Sequence, residues 1–103
     1  MMSGSIVIGN DSERRRFVAH IDDVEACIHY VVAQGVITFT NTHVPEVLRG
    51  RGITTQLIRV ALAQARENGW RVTPLCRCVA TYMKQHAETH DLLTPAGQRA
   101  IGR

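Results

Sequence analysis

Aromatic residues make up only 5% of this 103-residue chain: two Phe, two Tyr and one Trp. No stretch interleaves rings with basic side chains, which argues against stacking on single-stranded nucleic acid. Cysteine is equally sparse. Cys27, Cys76 and Cys78 are an odd number, which argues against a disulfide framework. Cys76 and Cys78 have one residue between them and no second Cys/His pair at finger spacing follows, so no metal site is expected. No apolar run approaches the roughly 20 residues that span a bilayer, so no membrane partner is expected. Met1 to Asn10 has no basic start leading into an apolar stretch. It does not read as a signal peptide, and the cytoplasm is the expected compartment. Internal repeats, low-complexity tracts and linkers are also missing, so one domain over residues 1–103 is expected.

What remains is ordinary globular composition, with 45% hydrophobic and 20% charged residues, which argues against disorder. A core this small leaves a homodimer open. The formal net charge is +3, with cations clustered at Arg14-Arg15-Arg16 and at Arg49 and Arg51. Two readings stay open: a solvated basic surface, or a surface for an anionic ligand such as phosphate or nucleic acid.

Three stretches read as strands. Arg15 to Ile21, Val24 to Val32 and Val36 to Val44 are alternating or rich in β-branched residues, and Asp22-Asp23 and Ala33-Gln34-Gly35 separate them as turns. They form an antiparallel meander. Pro45 ends the third strand. Ile53, Leu57, Ile58, Ala61, Leu62 and Ala65 then recur at helical spacing, and Asn68-Gly69 closes that helix. Trp70 to Cys76 reads as a short strand interrupted by Pro74. Val79 to Gln85 reads as a second short helix, and residues 94–103 as a loop or a terminal helix. The order β-β-β-α-β-α predicts an α/β fold in which the last strand lies parallel to the third. Pro45 and Pro74 each remove a ladder donor, so these two strands are expected to part and open a slot.

Between the third strand and the first helix lies VLRGRGIT, Val47 to Thr54. Glycines permit φ > 0 and close approach of a ligand to the backbone, and a helix N-terminus offers unpaired N–H groups. Gly50 and Gly52, flanked by Arg49 and Arg51, suit a pyrophosphate. They equally suit a turn that lets strand become helix. The segment matches neither the P-loop nor the dinucleotide fingerprint.

The longer stretch VPEVLRGRGITTQLI resembles the acetyl-CoA-binding motif of the GNAT acetyltransferases, Arg/Gln-x-x-Gly-x-Gly/Ala. Arg49, Gly52 and Thr54 stand at its three defined positions, with Thr54 in place of Gly or Ala. The resemblance reaches from about Arg16 to Leu93 and is to the very small members of that superfamily. Asn41-Thr42-His43-Val44-Pro45 matches a His-Thr-x-Val-Pro strand end, with Asn41 in place of His. Pro74-Leu75-Cys76 matches a Pro-x-Cys segment. Tyr82 and His86-Ala87-Glu88 match a Tyr followed by His-Pro-Glu, with Ala87 in place of Pro. The resemblance implies a minimal GNAT-like fold, with acetyl-CoA or coenzyme A as co-substrate. It implies coenzyme A contacts from Val44, Val47, Arg49, Gly50, Arg51, Gly52, Ile53 and Thr54.

It also directs attention to four candidate catalytic residues. A lysine-type amine is neutral in about one molecule in a few thousand at pH 7, so a base is useful. An imidazole can serve as a base near neutral pH, and His43 would share a strand face with Asn41, where the family histidine would stand. The resemblance implies that Cys76 lines the pantetheine arm or carries the acetyl group covalently. In a strand Arg77 would point to the opposite face from Cys76, so no activator is assured and direct transfer is expected. Tyr82 resembles the general acid that protonates the departing thiolate, or else it is an aromatic on a buried helix face. His86 reads as a cap or surface residue and Cys27 as strand core. His20, His29 and His90 have no evident role.

The expected function is acetyl-CoA-dependent transfer of an acetyl group to a primary amine: a protein lysine, a polyamine or a small amine. The alternatives are a coenzyme A-binding module without efficient catalysis and, weakest for want of aromatics, a small basic nucleic-acid-binding protein.

Overall fold

A computed structural model of the chain describes residues 6–102. Its elements are β1 (Val7–Asp11), β2 (Arg16–Ile21), β3 (Val24–Ala33), β4 (Val36–His43), a 3-10 turn (Glu46–Leu48), α1 (Ile53–Glu67), β5 (Arg71–Pro74), α2 (Arg77–Gln85), a second 3-10 segment (Ala87–Leu92) and α3 (Pro95–Ala100). The strands form one mixed sheet in sequence order. β1 to β4 are antiparallel and β5 joins β4 in parallel. The meander and the parallel crossover are those the sequence predicts. β1 precedes the meander as an additional strand. It is short, carries Gly9, lies at the sheet edge and leaves Val7 65% exposed, so it has little of the alternation that marks a strand.

One face of the sheet carries the core. Phe17, Ala19 and Ile21 of β2, Ala26, Ile28 and Tyr30 of β3, and Ile37 and Phe39 of β4 meet Ile53, Leu57, Ile58, Ala61, Leu62 and Ala65 of α1. The scarce aromatics are concentrated here. The Phe17 ring lies 5.2 Å from that of Tyr30 and 6.5 Å from that of Phe39, centroid to centroid.

Two local features shape the end of the sheet where α1 begins. The β3–β4 register passes from Tyr30↔Phe39 to His29↔Asn41, which leaves Thr40 unmatched as a bulge. A bulge resets the alternation of its strand. Ile37 and Phe39 therefore face the core before it and Thr42 does so after it, while Asn41 and His43 face outward. The second feature is the early end of β5. The strand expected over Trp70 to Cys76 covers only Arg71–Pro74. The amides of Leu75 and Cys76 both donate to the Phe39 carbonyl, at 2.9 and 3.0 Å, and the chain turns off into a helix. This corrects two expectations. α2 starts at Arg77, before Val79, and Cys76 is its N-cap, not a strand residue; Cys78 lies on that helix.

Of the two forms open for residues 94–103, the described part, which ends at residue 102, adopts the helix, α3. The Thr94 hydroxyl accepts from the Gly97 amide at 2.9 Å and lies 2.6 Å from the Thr73 hydroxyl. Leu93 bridges to Val72 in parallel, and Arg71 Nη2 donates to the Leu93 carbonyl at 2.6 Å. The segment thus covers the outer edge of β5, an exposed edge being an aggregation liability.

Two further readings resolve. In the Arg14–Arg16 cluster, Arg14 and Arg16 lie 3.4 and 3.3 Å from Asp11, and Arg16 is 3.4 Å from Glu25. This is a partly neutralised surface. Cys27 is buried, but on the sheet face away from the core cluster, its Sγ 3.5 Å from His29 Nε2. It is a buried strand residue as expected, outside the main core cluster. Among the described residues, no helix is long and apolar enough to cross a membrane.

Candidate active site

The glycine segment sits at the carboxyl end of β4, separated from it by the 3-10 turn. Gly50 has φ +83° and Gly52 φ +74°. Gly52 is the N-cap of α1, and no side chain caps it. The first helical bond runs from the Gln56 amide to the Gly52 carbonyl at 3.2 Å. The amides of Ile53, Thr54 and Thr55 therefore precede the hydrogen-bonded ladder, at the positive end of a 15-residue helix. A Cβ placed on Gly50 or Gly52 would meet nothing within 4 Å. These glycines answer a backbone requirement and face open space. Arg49 Nε donates to the Val44 carbonyl at 3.3 Å and braces the loop. Arg51 is exposed. Ile53 is 2% exposed, so only its main chain is available to a ligand. Val47 is 62% exposed, and Val44 packs partly against the core.

β4 and β5 pair from Val36↔Arg71 to Phe39↔Pro74. Beyond that, β4 runs on to His43 without a β5 partner, because β5 ends at Pro74 and the chain turns into α2. Across the gap, the Thr42 hydroxyl donates to Cys76 Sγ at 3.2 Å. Thr42 entered the sequence reading only through a motif match. Its contact spans 34 positions, and the Thr40 bulge decides which way it points. Cys76 is 8% exposed and packs with the core.

Tyr82 of α2 lines a recess of about 340 Å³ with Thr54 and Thr55 of α1 and Arg77, Cys78 and Gln85 of α2. Tyr82 is thereby brought to the mouth of the glycine segment. Its ring stacks on His86 at 3.9 Å and 11°. His86 is the C-cap of α2, and its Nδ1 donates to the Tyr82 carbonyl at 2.7 Å. Asn41 and His43 share a face, as the alternation requires, but it is the outer one. They lie opposite His29 and Cys27 in the β3 register, and opposite residues in an antiparallel pair share a face. Thr42, between them, points inward to Cys76. His43 and Cys76 thus lie on opposite sides of the sheet, and His43 is not placed to activate Cys76. The geometry pairs Thr42 with Cys76 and sets Tyr82 beside Thr54 at the opening of α1, while Asn41 and His43 lie apart on the other face. His20 contacts Glu25 at 3.5 Å and His90 contacts the Met83 carbonyl at 2.7 Å.

A mixed sheet whose fourth and fifth strands part beside an uncapped, glycine-opened helix is the architecture expected of a minimal acetyltransferase. Residues 16–92 match the family model described as GCN5-related N-acetyl-transferase, and the chain belongs to that family. It is similar to the curated protein named Protein NATD1. Identity to the Mus musculus protein is 27% over 86 residues, covering 81% of this chain and 78% of the relative. For the Xenopus tropicalis protein it is 26% over 87 residues, covering 82% and 80%. For the Gallus gallus protein it is 26% over 84 residues, covering 79% and 76%. The family supports a general acetyltransferase function for the chain.

Proposed function

We propose that this protein transfers the acetyl group of acetyl-CoA to a primary amine. The observation that carries the proposal is the opening of α1. Two glycines at positive φ present uncapped amides to open space at the end of β4, where β4 and β5 part. The amides of Ile53 to Thr55, with Arg49 and Arg51 beside them, suit the pyrophosphate of coenzyme A. Thr42 and Cys76 flank the path of the pantetheine arm. The amine attacks the thioester carbon directly: a C–N bond forms, the C–S bond breaks, and coenzyme A leaves as the thiol. Tyr82, at the mouth of the cleft, is the group suited to deliver that proton. Asn41 and His43 lie on the other face of the sheet, so the proton the amine sheds passes to solvent rather than to His43.

Calorimetry and thermal melts test the cofactor assignment. Ligand that binds only the folded state raises the melting temperature by mass action, so saturating coenzyme A should produce a shift. Gly52→Ala should lose it. The variant's own stability should fall by about 1–2 kcal/mol, because an L-residue at positive φ is strained although the space around it is open. Absence of both shift and calorimetric binding would remove the assignment. Binding without turnover over a broad amine panel would leave a coenzyme A-binding module.

A further inference from the structure

A second recess, of about 570 Å³, begins at Pro74 and Leu75, where β5 leaves β4, and runs between α2 and the end of α3. Arg77, Lys84 and Arg99 line it and, among the described residues, no carboxylate does. Arg77, Thr81 and Lys84 are spaced i, i+4, i+7 and so project from one side of α2. Among the described residues, none of the three cations forms an ion pair, whereas Arg14, Arg16 and Arg66 all do. Leu75, at the rim, is 64% exposed.

Three unpaired cations converging on a concave surface raise its potential and attract anions while repelling cations. The recess starts at the residues that turn into Cys76. An acceptor reaching the parted strands can therefore lie across it. A polyamine or an Arg/Lys-rich segment would be repelled here. We propose that the recess is the acceptor's docking site and that the acceptor is a lysine-bearing peptide segment with acidic neighbours. The carboxylates meet Arg77, Lys84 and Arg99, and an apolar side chain covers Leu75. A peptide is favoured over nucleic acid because the recess offers an aliphatic rim and no aromatic platform for bases. The inference rests on the acetyltransferase reading and names the substrate class of that same site.

The test uses the full chain and three lysine peptides of equal length, flanked by Glu, Gln or Arg. With acetyl-CoA, the Glu peptide should show a KM at least tenfold below the Gln peptide, with the Arg peptide poorest. The variant Lys84→Gln/Arg99→Gln should raise the Glu-peptide KM to that of the Gln peptide, while the coenzyme A melting shift keeps its size. Arg77 is left intact because it also borders the coenzyme A cleft. Fluorescence anisotropy of a labelled Glu peptide reads the recess without turnover, so failure of catalysis and failure of docking are separate outcomes. Equal use of the three peptides, or preference for the Arg peptide, overturns the proposal. Loss of the coenzyme A shift in the double variant would give the recess to the cofactor's phosphates and overturn it too. So would a short single-stranded DNA that binds there more tightly than the Glu peptide.

Discussion

Thr42 and Cys76 meet because one residue, Thr40, is unmatched in the β3–β4 register. Without that bulge Thr42 would face outward, Asn41 and His43 would face the core, and the sulfur would have no hydroxyl beside it. The consequence for mechanism is specific. Cys76 Sγ accepts from Thr42 at 3.2 Å and, among the described residues, contacts no imidazole or carboxylate that could take its proton. A covalent route needs a thiolate, whereas direct attack asks only that the sulfur shape the slot. Cys76→Ser is therefore expected to keep kcat/KM within about tenfold, less than about 1.4 kcal/mol of barrier. Intact mass after incubation with acetyl-CoA and no amine should show no acetyl group on Cys76. An adduct there, formed and consumed at the turnover rate, would establish the covalent route instead.

At the scale of elements, α3 is the part whose loss would be felt furthest from its own position. A Cβ on Gly97 would lie 2.7 Å from the Val72 carbonyl oxygen, 3.0 Å from a Leu93 methyl and 3.2 Å from Pro74 Cδ. The nearest of these atoms is backbone of β5 and cannot rotate away. Gly97→Ala should cost about 1–3 kcal/mol in urea denaturation, as overpacking does. By shifting β5 it should also weaken coenzyme A binding. The ion pair of Arg66 in α1 with Asp91, at 2.7 and 3.0 Å, ties α1 to the second 3-10 segment. Hydrogen bonds from Arg66 hold the Asp91 carboxyl below its usual range. A depressed folded-state pKa gives stability that is present above the unfolded value, about 3.9, and lost as pH falls through the folded one. Asp91→Asn should therefore flatten the stability profile below about pH 4. The effect should be small, because both side chains are more than half exposed. These elements differ in how far the sequence foretells them. The meander strands and α1 were legible to within a residue or two, since each carries its own apolar period. The end of β5 was not, because Pro74-Leu75-Cys76 continues an apolar run and what stops the strand is a carbonyl on Phe39. The start of α2 was hidden for the same reason. The glycine loop could be read because φ > 0 has a residue-type signature. The Thr42–Cys76 contact and the placing of His43 on the far face depend on a bulge that no local pattern announces.

Over the whole molecule, charge is distributed unevenly in a way that bears on ligand capture. The net charge is +3, but the arginines differ in how free that charge is. Arg14, Arg16 and Arg66 are engaged with carboxylates. Arg49, Arg51 and Arg77, around the opening of α1 and the adjoining cleft, form no ion pair among the described residues. Coenzyme A is a polyanion, so its association should be steered by this local field and weakened by screening. Between about 0.1 M and about 1 M salt the Debye length falls from about 10 to about 3 Å. Coenzyme A affinity should fall several-fold across that range, and Arg51→Gln should lower the low-salt affinity and flatten the dependence. Arg51 is the suitable probe because it is exposed, whereas Arg49 also braces the loop through the Val44 carbonyl. The ligand-free melting temperature should move little over the same range, because exposed ion pairs contribute little to stability. Calorimetric titration at several salt concentrations, paired with melts of the free protein, separates the two effects. A coenzyme A affinity indifferent to salt, or a slope unchanged in Arg51→Gln, would place the phosphates away from the opening of α1.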